Sequence, residues 1–238
     1  MEEYPMRINK YLAHLKISTR DGADEMVVRG DVFINGKRAV LGSKVNKNDK
    51  VEVKGNKNNI KNCVYYAYNK PKGIITHSPQ DEENDIKEKI KKQNIPKDVF
   101  PIGRLDKDSH GLIILSNDGR ITDALLNPKY THEKEYVVKT SNKLRSNFKQ
   151  KMEAGVNIEG YVTKKCLVRI INDSSFKIIL TEGKKHQIRR MCSNLFQEIA
   201  DLKRTRIMNI ELGNLKPNTF REIKGEELKT FLKSIDIK

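Results

Sequence analysis

Residues 101–119 read Pro-Ile-Gly-Arg-Leu-Asp-Lys-Asp-Ser-His-Gly-Leu-Ile-Ile-Leu-Ser-Asn-Asp-Gly, and their reading decides the fold. The apolar run Leu112–Leu115 is unbroken and ends on an Asn-Asp-Gly turn, the pattern of a strand buried on both faces. Ahead of it, a glycine-started loop carries the carboxylate of Asp106 with Arg104 two residues before. Spacing alone allows either a catalytic constellation at a sheet edge or a surface ion pair at the start of a strand.

Working outward, further strands are expected over 65–69, 73–76, 134–139, 166–171 and 176–180, with helices over 121–126 and 187–196. Near the N-terminus, Ile8, Tyr11, Leu12 and Leu15 repeat at helical spacing, which gives one apolar face. Ser18 or Thr19 can cap a second helix with Ala23, Met26 and Val27 inward, closed by Gly30. The run Val32–Arg38 reads as a hairpin on an Asn35-Gly36 turn, and 45–53 as one more strand. The heavily charged stretch 81–92 reads as an exposed helix or loop. The fold class is therefore α+β. A small helix-helix-sheet unit spans residues 6–54 and a polar linker 55–61. A mixed, largely antiparallel sheet domain fills 62–238.

The chain has 238 residues, with 47 Lys and Arg against 31 Asp and Glu, a formal net charge of +16. Such a balance suits a polyanionic partner, most simply nucleic acid. Most of the excess, +12, lies beyond residue 60. Residues 184–206 hold Lys184, Lys185, Arg189, Arg190, Lys203, Arg204 and Arg206 against only Glu198 and Asp201. A patch of that kind binds phosphates without regard to sequence; a solvated helix face is the plain alternative. Cys63, Cys166 and Cys192 are far apart and form no Cys-x-x-Cys pair, so free thiols in a reducing cytoplasm are expected, with no metal site. No run approaches a membrane span. Gly183-Lys184 lacks the upstream glycine of a phosphate-binding loop. Asp106 and Asp108 are too close on one segment for the carboxylate pair of a glycosidase.

Four segments in order carry a resemblance. Lys70-Pro71-Lys72-Gly73, the Gly103-Arg104-Leu105-Asp106 loop, His132-Glu133-Lys134-Glu135-Tyr136 and Glu182-Gly183-Lys184-Lys185-His186-Gln187-Ile188-Arg189-Arg190-Met191 together resemble the RsuA family of RNA pseudouridine synthases. Arg204-Thr205-Arg206 extends the match, which is most similar to the branch acting on the large ribosomal subunit. The N-terminal Met6-Arg7-Ile8-Asn9-Lys10-Tyr11-Leu12 resembles an S-four RNA-binding domain, although Asp21-Gly22 departs from that domain's usual basic helix.

The resemblance implies isomerisation of a uridine in ribosomal RNA, free or in a partly assembled subunit; a cytoplasmic location follows from the cysteines and the absence of an apolar run, and a monomer is the default expectation. The base flips out of its stack, and no cofactor or metal takes part. Asp106 would be the catalytic carboxylate, Arg189 its ion-pair partner and Tyr136 the ring beneath the base. Arg104, Ile188, Lys184, Arg190 and Arg204 would contact the RNA, while His186 is assigned no role. A non-catalytic ribosome-binding factor, or a synthase acting on transfer RNA, are the alternatives.

Overall fold

The computed structural model describes residues 4–15, 17–18, 20–54, 63–76, 85–91, 93, 95–96, 99–127 and 129–237. The first elements are β1 (Met6–Arg7), α1 (Ile8–His14), α2 (Arg20–Arg29), β2 (Val32–Ile34), β3 (Lys37–Arg38), β4 (Lys44–Val45) and β5 (Val51–Val53). They enclose a cluster of Ile8, Leu12, Ala23, Val27, Val32, Ala39 and Val45. Leu15, expected on the apolar face of α1, is 48% exposed, because the helix ends before it. Asn35 and Gly36 both take positive φ, 51° and 78°, which is the two-residue turn that matches strand twist. The strand expected over 45–53 is split. Asp49 accepts hydrogen bonds from Asn46 N at 2.7 Å and Asn35 Nδ2 at 2.9 Å, bending the chain between β4 and β5. The linker 55–61 and the Thr19 cap lie outside the described residues.

Next come β6 (Tyr65–Lys70), α3 (Ile86–Lys91), β7 (Phe100–Ile102), β8 (His110–Ser116), α4 (Arg120–Leu126), β9 (Lys134–Thr140) and α5 (Phe148–Ala154). They are followed by β10 (Asn157–Ile158), β11 (Tyr161–Val162), β12 (Leu167–Asn172), β13 (Ser175–Leu180) and α6 (Gln187–Asn194). The chain then forms β14 (Ile199–Ile207), β15 (Ile210–Glu211), β16 (Phe220–Glu222) and α7 (Gly225–Ser234). One sheet runs in the order β12-β13-β9-β14-β8-β6-β16, with β15 on β14 and β7 on β8. Its pairs are antiparallel except β14 with β8. The fold is α+β with a mixed, largely antiparallel sheet.

Strand β8 shows why its sequence is unbroken. Leu112 and Ile114 face a cluster with Ile121, Leu125 and Phe231, while Ile113 and Leu115 face another with Tyr68, Ile86 and Ile90. A strand covered on both faces loses the apolar–polar alternation. Four points differ from the sequence expectation. Residues 73–76 form a turn, with Gly73 at φ 78° and only Ile75 bridged, to Asp85. The charged stretch contributes α3 to the core through Ile86 and Ile90. Helix α6 stops at Asn194 rather than 196. Strand β14, nine residues long, hides in what reads as a basic surface patch. Its Leu202, Arg204 and Ile207 are buried between Lys203, Thr205 and Arg206, so charge masks the period.

The pairing registers draw one line across the sheet. Lys70 lies opposite Gly111, Gly111 opposite Arg204, Arg204 opposite Tyr136, and Tyr136 opposite Ile178. Directly paired residues project to the same face, so five strands contribute to one surface. Gly111 is where β8 meets β14 at Arg204. A Cβ there would sit 2.3 Å from the Arg204 carbonyl oxygen, and its φ of 102° already belongs to glycine.

Candidate active site

The loop from Gly103 to Ser109 is fixed from beneath. Lys70 is completely buried, and its Nζ donates to the carbonyls of Ser109 at 2.7 Å, Asp106 and Pro71 at 3.1 Å, and Lys107 at 3.4 Å. Burial pushes its pKa down from 10.5 to about 8, against the pull of the Asp106 and Asp108 charges. Thr76, also buried, donates through Oγ1 to Leu105 O at 2.8 Å and accepts from Leu105 N at 3.1 Å. Gly73 N adds a bond to Lys107 O at 2.8 Å. The two motifs at 70–73 and 103–106 are thus one unit: the first supplies donors to the backbone of the second. Backbone oxygens turned inward leave the Asp106 side chain half-exposed above.

Helix α6 faces that carboxylate. His186, at φ 50°, precedes the helix and places Nε2 3.5 Å from Asp106 Oδ1. Arg189, expected as the ion-pair partner of Asp106, makes no such pair among the described residues. Its Nη2 approaches Asp108 O at 3.4 Å and Ser109 Oγ at 3.5 Å. The reason is rise along the axis: Arg189 sits three residues beyond His186, about 4.5 Å further, and so meets the far end of the loop. His186 escaped the sequence reading. Its spacing of three from Arg189 shows that both share one helix face.

A buried carboxylate sets where α6 begins. Glu182, 7% exposed, accepts from Tyr161 OH at 2.5 Å, Gln187 Nε2 at 2.7 Å and Lys164 N at 3.0 Å. Gln187 Oε1 in turn accepts from Lys184 N at 2.9 Å. Lys184 Nζ lies 4.4 Å from the centre of the Tyr161 ring. Arg190 reaches back to the β10–β11 hairpin, pairing with Glu159 at 2.6 Å and Ile158 O at 3.3 Å. Both cations expected on RNA therefore also brace the hairpin that supports α6.

Tyr136 is half-buried on β9, against the cluster that contains Ile178, Ile188 and Met191. Ile188 is 4% exposed and belongs to that cluster. Arg104 is exposed. Arg204 is not a surface cation: it is 4% exposed, and Nε donates to Leu112 O at 2.6 Å and Nη1 to Arg104 O at 3.5 Å. It joins β14 to β8 and to the loop. Burial, with the Arg204 charge nearby, also pushes Lys134 down to about 8. On β14, Asp201 binds Lys72 and accepts from His110 Nε2 at 3.1 Å. Burial alone would raise its pKa, but the hydrogen bonds from Lys72 and His110 hold it below the usual carboxylate range.

One carboxylate on a locked loop, a basic helix leaning over it and a half-exposed tyrosine on the same sheet face suit an enzyme that works on a nucleic-acid base. Comparison with known proteins makes that class specific. Residues 64–194 match the family model described as RNA pseudouridylate synthase, and the chain belongs to that family. The dual-specificity RNA pseudouridine synthase RluF of Escherichia coli strain K12 is 40% identical over 97% of this chain and 80% of that protein. The ribosomal large subunit pseudouridine synthase B of Bacillus subtilis strain 168 is 33% identical over 94% of each chain. A crystal structure of a pseudouridylate synthase superimposes with a TM-score of 0.70 at 23% identity, over 97% of this chain and 99% of that one; it shares the fold.

Proposed function

We propose that this protein converts a uridine of ribosomal RNA, of the large-subunit type, to pseudouridine, with Asp106 as the catalytic carboxylate. The observation that carries this reading is the Asp106 loop itself. Its backbone is held by Lys70 and Thr76, and its carboxylate is left to face outward beneath His186. A loop pinned through its carbonyls keeps the side chain in place when an RNA replaces water above it. In the reaction the bond from ribose C1′ to N1 breaks and one from C1′ to C5 forms. The C5 proton leaves and N1 gains one, so nothing is oxidised or reduced.

The target base leaves its stack and lies on Tyr136, with Ile188 behind the ring. Base–aromatic stacking of this kind contributes roughly 1–3 kcal/mol. Arg189 swings from Ser109 towards Asp106 when RNA enters, and its fork then favours the ionised carboxylate. Arg104, the exposed loop cation, together with Lys184 and Arg190 holds the RNA backbone. Arg204 acts from below as a positioning residue. Residues 6–54 form an auxiliary RNA clamp of the S-four type, joined to the catalytic domain 62–238 by the linker. The protein works as a monomer in the cytoplasm; no helix among the described residues is long and apolar enough to cross a membrane.

The test is chemical mapping of pseudouridine in ribosomal RNA, naked or subunit-assembled, and in transfer RNA, after incubation with wild type or Asp106→Asn. The expected result is one new site in ribosomal RNA with wild type and none with the variant, at equal RNA binding. Equal modification by both proteins refutes the role of Asp106.

A further inference from the structure

Helix α6 ends in a double cap: Gln197 N donates to Cys192 O and Phe196 N to Ser193 O, both at 2.9 Å. This cap requires a left-handed residue at Phe196, a position where glycine is at ease. Phe196 occupies it at φ 58°, against the crowding that a bulky side chain meets there. The ring gains no burial in return, because it is 73% exposed. A side chain that is unfavourable both for its backbone and for its exposure points to a role outside the fold.

Its surroundings specify the role. The Arg145 guanidinium lies 4.7 Å from the ring centre. Beside it Gln197 is 3% exposed, and its Nε2 donates to Lys143 O at 3.4 Å. Reversing that amide would set oxygen against oxygen, so Oε1 is the amide atom left over for an incoming donor. It is buried without a hydrogen-bond partner among the described residues. Phe196, Gln197, Ser193 and Asn142 line one cleft with Arg189, and Glu198 is its acidic member. Arg189 is the same side chain that touches Ser109 of the Asp106 loop, so the cleft adjoins the candidate active site.

We propose that this cleft is a second nucleotide subsite. It stacks the base of a nucleotide flanking the target on Phe196, and it takes a hydrogen bond from that base on Gln197 Oε1. The inference rests on the RNA-modifying reading of the Asp106 site. A flat apolar ring beside one guanidinium, in a cleft that Arg189 also lines, suits a base carried on a polyanion. A lone acceptor selects a donor edge, the imino N–H of uracil or guanine or an exocyclic amino group. Single-stranded RNA offers such splayed edges. Because Oε1 is closed to water in the free protein, the donor reaches it once the side chains lining the cleft shift to admit the base.

The experiment compares wild type, Phe196→Gly, Gln197→Met and Asp106→Asn. It measures anisotropy with a labelled deca-uridine RNA, thermal unfolding, and steady-state pseudouridine formation on a large-subunit RNA transcript. Phe196→Gly is expected to weaken deca-uridine binding about five- to tenfold through lost stacking. Its melting temperature should hold or rise as the left-handed strain is relieved. Gln197→Met should weaken binding about threefold, the loss of one neutral hydrogen bond. In both variants KM rises and kcat holds. Wild-type affinity for deca-uridine in both variants overturns the subsite, as does unchanged binding with a lowered melting temperature. If wild type modifies no RNA, the Asp106 reading falls, and the binding comparison still decides the subsite.

Discussion

Replacing Lys70 by Met keeps the buried stem and removes only the ammonium. Three carbonyls of the Asp106 loop, those of Asp106, Lys107 and Ser109, each lose a donor. Asp106 O keeps Ser109 N and Lys107 O keeps Gly73 N, so among the described residues Ser109 O and Pro71 O are the acceptors left without a donor; each costs roughly 1–3 kcal/mol in the interior, a gross loss of about 4 kcal/mol. Relief from burying a charge opposes it. The fall of the Lys70 pKa from 10.5 to about 8 corresponds to about 3 kcal/mol against the charged form. The net cost is about 1 kcal/mol, which for a chain of this size lowers the melting temperature by about 2–4 °C.

Catalysis should suffer more than stability, because the freed loop no longer fixes Asp106. A displacement of an ångström costs on the order of a hundredfold in rate, at unchanged RNA affinity. The pH dependence supplies a separate signature. The folded-state pKa of Lys70 lies below the unfolded one, so the unfolded chain binds more protons between pH 8 and 10.5. Stability from this group therefore rises with pH across that window, in wild type only. Urea unfolding of both proteins at pH 7 and pH 10 should show wild type pulling further ahead at the higher pH. Parallel stability curves, an unchanged melting temperature and wild-type pseudouridine formation in Lys70→Met would together refute the account of the loop.

Gly111→Ala should be more damaging than its size suggests. Its Cβ would meet Arg204 O at 2.3 Å with φ at 102°, so a loss of roughly 3 kcal/mol or more is expected, read as a lowered melting temperature by circular dichroism. Cys192, whose pKa is pushed by burial up to about 12, should resist a thiol-disulfide reagent at pH 8 in the folded protein. It should react at once in 6 M guanidinium, about the concentration that unfolds even very stable domains; rapid labelling under native conditions would contradict its buried placement.

The sequence motifs located the loop and its neighbours, because they hold residue types that the chemistry needs. What they concealed were the reasons. Lys70 reads as a surface residue, since lysines are almost never fully buried unless paired; its partners are backbone carbonyls, which leave no mark in a sequence. Strand β14 was masked for the same cause. Arg204 is inside, yet stands between Lys203 and Thr205 in what reads as a charged patch. Helix α3 lay in a stretch of alternating charge whose two isoleucines, four apart, carry its packing. The expected pair between Arg189 and Asp106 followed from motif position alone. Helix geometry assigned the nearer place to His186.

The parallel pairing of β8 with β14 brings residues 110 and 111 against 203 and 204, and this has a consequence for when the protein becomes competent. All four motif segments leave the ribosome before Arg204 does, yet the line from Lys70 to Tyr136 has no middle until β14 is inserted between β8 and β9. Contacts this distant along the chain must wait for the intervening loop to close. A nascent chain that already displays its carboxylate, tyrosine and basic helix is still without an assembled site. The synthesis of residues 195–207, from the end of α6 to the end of β14, is thus the interval in which this RNA-binding chain can meet the RNA that surrounds it without being able to modify it.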